Sequence, residues 1–91
     1  MQILLLSMLT VQQIRAARAA LRWSIKDLSD ASGISVRTIK MIEARTENPQ
    51  GRNATIEAIR NAIEQAGIEF IGAPDDAPGI RIHVPRPDAS K

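Results

Sequence analysis

The sequence predicts a mainly α-helical domain of four to five short helices that ends in a β-hairpin. Apolar residues recur at spacings of three and four over residues 10–22 and again over residues 53–66, which indicates amphipathic helices. Residues 68–71 (IEFI) and 80–84 (IRIHV) instead alternate apolar with polar residues, which is typical of half-buried strands. The change of period therefore predicts helices first and a hairpin last.

Length and composition limit the chain to one small domain with its own core. It has 91 residues, of which 44% are hydrophobic and 24% charged, a composition typical of folded proteins. The absence of cysteine excludes a disulfide framework and a thiolate metal site, and it fits a reducing cytoplasm. The net charge of +2 is a weak indication of a polyanionic partner. The distribution says more, because basic residues cluster at Arg15, Arg18, Arg22, Arg37, Lys40, Arg45 and Arg52.

The first nine residues, MQILLLSML, are apolar but do not resemble an export or membrane signal. They have no basic first segment and no small-residue cleavage site, and they are too short to cross a bilayer. We therefore expect a cytoplasmic protein without a membrane partner. Two interpretations stay open. Either the segment is a frayed arm or a mis-assigned extension, with Met8 as the true initiator in the second case, or residues 1–9 form an arm that packs on a partner chain.

A strongly specified helix start lies at Thr10. Its hydroxyl can accept from the amide of Gln13 while the Gln13 side chain reaches back, which is a T-x-x-Q capping box. Leu9 and Ile14 flank this box as a hydrophobic staple. We expect the helix to end near residue 22, with an inward face formed by Ile14, Ala17 and Leu21.

Two short helices follow, joined at a single glycine. Ser24 can cap the second helix and Ser35 the third. Gly33 between them accepts a left-handed conformation at little cost, so the backbone can stop and change direction. The apolar side of the second helix is formed by Ile25, Leu28 and Ala31. In the third helix Ile39 and Ile42 are expected to face inward, and the outward set is Val36, Arg37, Lys40 and Met41.

The last third of the chain divides into a fourth helix and the hairpin. A loop rich in proline, glycine and asparagine precedes the helix, which Gly67 should close. The two strands are separated by the turn-rich connector GAPDDAPG, residues 72–79. The resulting domains are the arm or mis-assigned start at 1–9, the helical domain at 10–66, the hairpin at 67–84 and a flexible tail at 85–91.

Nothing in the sequence favours catalysis or a bound cofactor. His83, the only histidine, is expected on the polar side of a strand without a cysteine or second histidine to complete a zinc site. The sequence contains no P-loop, no dinucleotide-binding glycine motif and no nucleophile elbow. We expect a protein that is not an enzyme and that uses no metal or cofactor.

Two short helices joined by a tight turn are what a helix-turn-helix requires. Its second helix enters the DNA major groove while the first lies across the backbone. Arg37 can then pair with guanine O6 and N7, and Val36 or Met41 can contact a thymine methyl group. Lys40 is better suited to a phosphate. The alternative is that these four side chains form only an exposed face.

Residues 24–43, SIKDLSDASGISVRTIKMIE, resemble the helix-turn-helix of the XRE family, also called the Cro/C1 family. The family pattern is approximately S-Q-x-x-L-A-x-x-x-G-[VI]-S-x-x-T-[IV]-x-x-[IW]-E, and the matching positions are Leu28, Gly33, Ile34, Ser35, Thr38, Ile39, Ile42 and Glu43. Ile25 stands where the family often has a phosphate-contacting glutamine, and Ser29 where it usually has alanine. The resemblance covers residues 10–66 and implies a lambda-repressor-like DNA-binding domain of a transcriptional regulator.

The resemblance also implies roles for particular side chains. Val36, Arg37 and Met41 would occupy the base-reading positions, and Arg18 would form a structural ion pair with Glu43. Contacts to the DNA backbone are expected from Ser24, Ser35, Thr38, Lys40, Arg45 and Arg52.

A single helix-turn-helix reads few base pairs, so useful specificity requires a homodimer on an inverted-repeat operator. We expect the hairpin to form the dimer interface, because it has more apolar surface than the helices need. The residues concerned are Ile68, Phe70, Ile80, Ile82 and Val84. Two alternatives stay open for function: an antitoxin that binds DNA and a partner toxin, and a protein-interaction module without DNA affinity. A toxin or other protein antagonist is thus a further candidate partner.

Overall fold

The computed structural model describes residues 9–45 and 54–83 of the chain. Four helices precede two strands in these ranges: α1 Val11–Leu21, α2 Ile25–Ser32, α3 Val36–Glu43, α4 Ala54–Gln65, β1 Ile68–Ala73 and β2 Asp76–Ile82. The strands form one antiparallel two-stranded sheet. The predicted fold class, mainly helical with a C-terminal hairpin, is confirmed. The predicted arm up to Met8, Arg52, Val84 and the predicted tail lie outside the described residues.

Helix α1 begins as its capping residues predict. The Thr10 hydroxyl accepts a hydrogen bond from the Gln13 amide at 3.0 Å, and the Gln13 Oε1 atom accepts one from the Thr10 amide at 3.0 Å. Both residues are buried, as are Leu9 and Ile14 on either side of the cap. The start of α1 therefore lies inside the protein, where its side chains can contact other elements.

One hydrophobic core joins all four helices and the first strand. Its buried members are Leu9, Ile14, Ala17, Leu28, Ile39, Ile42, Ile56, Ile59, Ile63 and Ile68. Burial of an isoleucine or leucine side chain of this kind contributes about 1.5–3 kcal/mol to stability. The prediction for Ala31 is wrong, because it is exposed. Ala31 lies about 60° around the axis of α2 from Leu28, in the direction away from Ile25. The core packs against the side of α2 that Ile25 and Leu28 form.

Gly33 ends α2 in the left-handed conformation that the sequence predicts. Its φ is 78°, and its amide donates to the Ser29 carbonyl at 2.9 Å. Ser35 then caps α3 by accepting from the Thr38 amide at 3.1 Å. Only Gly33 and Ile34 separate the last residue of α2 from this cap, so the angle between α2 and α3 depends on the left-handed glycine.

The Gly33→Ala variant should be less stable than the wild type by about 1 kcal/mol, the cost of a left-handed residue with a Cβ atom. A Cβ atom at Gly33 would have no neighbour within 4 Å, so the cost comes from the backbone alone. Gly72 has the same φ of 78°, but a Cβ atom there would collide with the carbonyl oxygen of Ala77. Urea unfolding should therefore give a larger loss for Gly72→Ala, and equal losses would contradict this account.

The hairpin is longer than the sequence predicts. Residues 72–79 were expected to form a turn-rich connector, but β1 continues to Ala73 and β2 begins at Asp76, so that only Pro74 and Asp75 form the turn. Left-handed conformations at Gly72 and Ala77 (φ 78° and 53°) accompany an irregularity in the ladder between residues 71 and 73. The strands can therefore continue through a segment whose composition indicates a loop.

Gln13 joins the hairpin to α1. Its Nε2 atom donates to the carbonyl oxygens of Ile71 at 3.0 Å and Gly79 at 2.8 Å, one on each strand. Its Oε1 atom is already bonded to the Thr10 amide. Only 4% of Gln13 is exposed, so its side-chain amide lies out of water, where an unpaired polar group is costly. The hairpin is thus held by a polar contact as well as by apolar packing.

No helix among the described residues is long and apolar enough to cross a membrane.

Candidate nucleic-acid interface

Helix α3 has one buried side and one exposed side. Ile39 and Ile42 face the core. Arg37, Lys40 and Met41 are exposed, and Met41 is 54% accessible although it is apolar. These three residues stand at i, i+3 and i+4, so they share one face of the helix. The free side of α3 is therefore basic with an apolar component.

The remaining predicted contact positions on α3 lie in its first turn. Val36 and Thr38 are half-buried, and Ser35 immediately precedes the helix and is exposed. The Ser35 hydroxyl accepts from the Thr38 amide and donates to the Thr38 hydroxyl at 3.0 Å. There is no acidic residue in this turn. The free amides at the start of α3 thus stand near no carboxylate of their own helix, which favours an anion in front of them.

The far end of α3 is fixed to α1 by an ion pair. The Arg18 guanidinium donates from Nε to Glu43 Oε2 at 2.9 Å and from a terminal nitrogen to Glu43 Oε1 at 2.8 Å. Its other terminal nitrogen donates to the Trp23 carbonyl at 3.0 Å. The side chains are only 23% and 8% exposed. The hydrogen bond to Glu43 raises the pKa of Arg18 above its usual value, against the effect of burial. The arginine therefore holds α3, α1 and the α1–α2 junction together.

Comparison with known protein families identifies the segment that contains α2 and α3. Residues 14–56, which include most of α1, all of α2 and α3 and the first residues of α4, match the family model described as helix-turn-helix. This segment is a helix-turn-helix domain of the XRE, or Cro/C1, type. Domains of this type bind DNA in transcriptional regulators, and the family is not one of enzymes. No curated protein matches the chain.

In a helix-turn-helix the second helix, which is α3 here, is called the recognition helix, and the first helix of the motif generally crosses the DNA backbone. Ser24, predicted to contact phosphate at the start of α2, is exposed, but its hydroxyl accepts from the Asp27 amide at 3.0 Å. Its own amide donates to the Asp27 carboxylate at 2.9 Å. Because this carboxylate brings a negative charge to the amide that would meet phosphate, Ser24 is the least suited of the described backbone candidates. Arg45 is exposed just beyond the recognition helix, and Arg52 lies outside the described residues.

The five residues predicted for dimerisation have different surroundings. Ile68 is only 2% exposed, so it belongs to the core of its own chain, and the expectation that it contacts a second copy is corrected. Phe70 and Ile80 are half-buried against the same core. Ile82 is 53% exposed, and Val84 lies outside the described residues. The alternating pattern identified one face of the hairpin, but the helices cover most of that face.

The opposite face of the hairpin is polar, as expected for His83. The His83 Nε2 atom lies 2.7 Å from Glu69 Oε1, and the Arg81 guanidinium lies 3.2 Å from the same oxygen. The hydrogen bond from His83, with the positive charge of Arg81, lowers the pKa of Glu69. No group of three or more potential metal ligands is assembled among the residues that the structure describes. We interpret the three side chains as a solvated polar cluster.

Proposed function

We propose that the chain is a transcriptional regulator of the cytoplasm that binds an operator in double-stranded DNA as a homodimer. The observation that carries this proposal is the exposed basic face of the recognition helix. The rest of this helix is fixed by contacts within the domain. Packing against the core fixes the buried side of α3, and the ion pair of Arg18 with Glu43 fixes its C-terminal end. A helix held in this way can enter the major groove as a rigid unit.

Each side chain of α3 that we propose to meet DNA has a contact that its chemistry favours. The Arg37 guanidinium can donate two hydrogen bonds to the O6 and N7 atoms of a guanine, which distinguishes that base in the major groove. Met41 and Val36 can contact the methyl group of a thymine. Lys40 is a compact charge without this geometry, so we assign it to a phosphate. Base recognition thus depends mainly on Arg37, and Lys40 contributes affinity.

Ser35, Thr38, Arg45 and Arg52 complete the proposed contacts to the DNA backbone. They carry no sequence information and fix the register of the recognition helix on the duplex. An inverted repeat with half-sites about 34 Å apart is the expected target of a dimer with two-fold symmetry. An antitoxin would use this same DNA-binding domain and bind a partner toxin in addition, and this alternative stays a prediction.

The test is fluorescence anisotropy on a duplex selected by the wild-type protein from a randomised pool, with a scrambled duplex for comparison. The Arg37→Ala variant should bind the selected duplex at least about thirtyfold more weakly, because the dimer loses one bidentate base contact in each half-site and each contact is worth about 1–3 kcal/mol. Its binding to the scrambled duplex should change little. The ratio of the affinities for the selected and the scrambled duplex shows whether Arg37 contributes to sequence selectivity.

Lys40→Ala is the matched control, since it removes one positive charge from the same face. It should weaken binding to both duplexes equally and reduce the salt dependence of binding by about two units of slope, about one for each protomer of the dimer. Wild-type protein that selects no sequence, or an Arg37→Ala variant that behaves like Lys40→Ala, would contradict operator reading by Arg37.

A further inference from the structure

The outer edge of β2 has backbone groups that β1 does not use. The His83 amide donates to the Gly67 carbonyl at 2.8 Å, and bonded and unbonded pairs alternate along an antiparallel ladder. Ile80 and Ile82 therefore stand in unbonded pairs, with their N–H and C=O groups directed away from β1. Among the described residues, none forms a hydrogen bond with these groups. Four polar backbone groups in line are a template for another strand.

An uncovered apolar side chain lies at the same edge. Ile82 is directly opposite Ile68 in the ladder, so both side chains point to the face that packs on the helices. Ile68 is buried there, whereas Ile82 is 53% exposed. Among the described residues, Met41 on the recognition helix is the only other large apolar residue with comparable exposure. The exposed apolar side chain and the backbone groups directed away from β1 therefore lie at the same edge, that of β2.

We infer that β2 pairs with β2 of a second copy, antiparallel, with Ile82 of both copies at the two-fold axis. Each Ile82 then exchanges two backbone hydrogen bonds with its counterpart, and the two side chains cover each other. The hairpins join into one four-stranded sheet. This inference rests on the homodimer of the proposed function, and it specifies which edge forms the dimer and in which register.

The side chains of β2 favour this register over the two registers whose axes lie closer to the turn, at Arg81 and at Ile80. A two-fold axis at Arg81 would place two guanidinium groups directly opposite each other, which is unfavourable. An axis at Ile80 would set Ile82 against Pro78, which has no N–H to donate. An axis at Ile82 sets Arg81 against His83, an imidazole in place of a second guanidinium. A second copy of this chain is therefore a complementary partner for the edge.

Cross-linking tests the register directly, because the chain has no cysteine of its own. Cα atoms of a bonded antiparallel pair lie about 5.5 Å apart, within the range that a disulfide spans. The Ile82→Cys variant should therefore oxidise to a covalent dimer. Met41→Cys, at a site with 54% exposure, is the matched control and should stay largely uncross-linked. Faster cross-linking of Met41→Cys or of Arg81→Cys than of Ile82→Cys would overturn the inference.

Light scattering on the protein without DNA tests the interface independently of cross-linking. Wild-type protein should be a dimer, and Ile82→Lys should raise the dimer dissociation constant by about a hundredfold or more, because two apolar contacts are lost and two ammonium groups meet at the axis. The Met41→Lys variant should remain dimeric. A monomeric wild type, or a fully dimeric Ile82→Lys variant with the helical content of the wild type, would overturn the inference. A dimer that selects no DNA sequence would contradict only the proposed function.

Discussion

The Gln13→Glu variant is expected to lose about 1–3 kcal/mol of unfolding free energy, since it loses two hydrogen bonds that each contribute about 0.5–1.5 kcal/mol. The substitution keeps the shape of the side chain and one oxygen that can accept from the Thr10 amide, so the capping box survives. It removes the Nε2 donor and sets a carboxylate oxygen against the carbonyls of Ile71 and Gly79. The hairpin then loses its polar attachment to α1.

Gln12→Glu is the matched control, because it is the same substitution at the adjacent exposed residue. It places a carboxylate in the first turn of α1, where the helix dipole favours a negative charge by about 0.3–1 kcal/mol. Urea unfolding at neutral pH should therefore give effects of opposite sign for the two variants. Acidification that protonates the introduced carboxyl of Gln13→Glu supplies a hydroxyl donor and should recover part of its loss. Similar stabilities for the two variants would show that the bonds to the hairpin contribute little.

Gln13 also shows where inference from the sequence ends. The T-x-x-Q spacing predicted its capping role, because both partners lie within four residues of each other. Its partners on the hairpin are 58 and 66 residues away, and a local pattern carries no information on such contacts. The caps at Ser24 and Ser35 and the left-handed Gly33 could likewise be predicted, since each depends on neighbouring residues alone.

The hairpin illustrates the same limit from the opposite direction. Alternation placed the apolar residues of each strand on one face, and in the observed register Phe70 and Ile80 are opposite each other. The pattern could not tell that helices cover this face, so Ile68 was assigned to a dimer contact although it lies in the core. On the recognition helix the helical period separated buried Ile39 from exposed Arg37 correctly, because an amphipathic helix has a single buried side.

Removing the charge of Glu43 by Glu43→Gln should lower the unfolding free energy by about 1.5–3 kcal/mol, the range for hydrogen bonds to charged groups. The variant leaves the Arg18 guanidinium, which is 23% exposed, with only a neutral acceptor at this position. Asp30→Asn is the matched control. It breaks the exposed pair of Lys26 with Asp30, whose atoms lie 3.2 Å apart, and should change stability by less than about 0.5 kcal/mol. Equal losses in urea unfolding would contradict a structural role for the partly buried pair.

The same variant separates positioning from electrostatics in DNA binding. Glu43 is negative, so if it acted only through its charge, Glu43→Gln would strengthen binding to every duplex. If the ion pair holds the recognition helix at the angle that Arg37 needs, the variant should lose affinity for the selected duplex relative to the scrambled one. This should occur at temperatures where circular dichroism shows an intact fold. The pair contacts the far end of α3 and the α1–α2 junction. We therefore expect the affinity for the selected duplex that is lost through the shift of α3 to exceed the affinity gained from the extra positive charge.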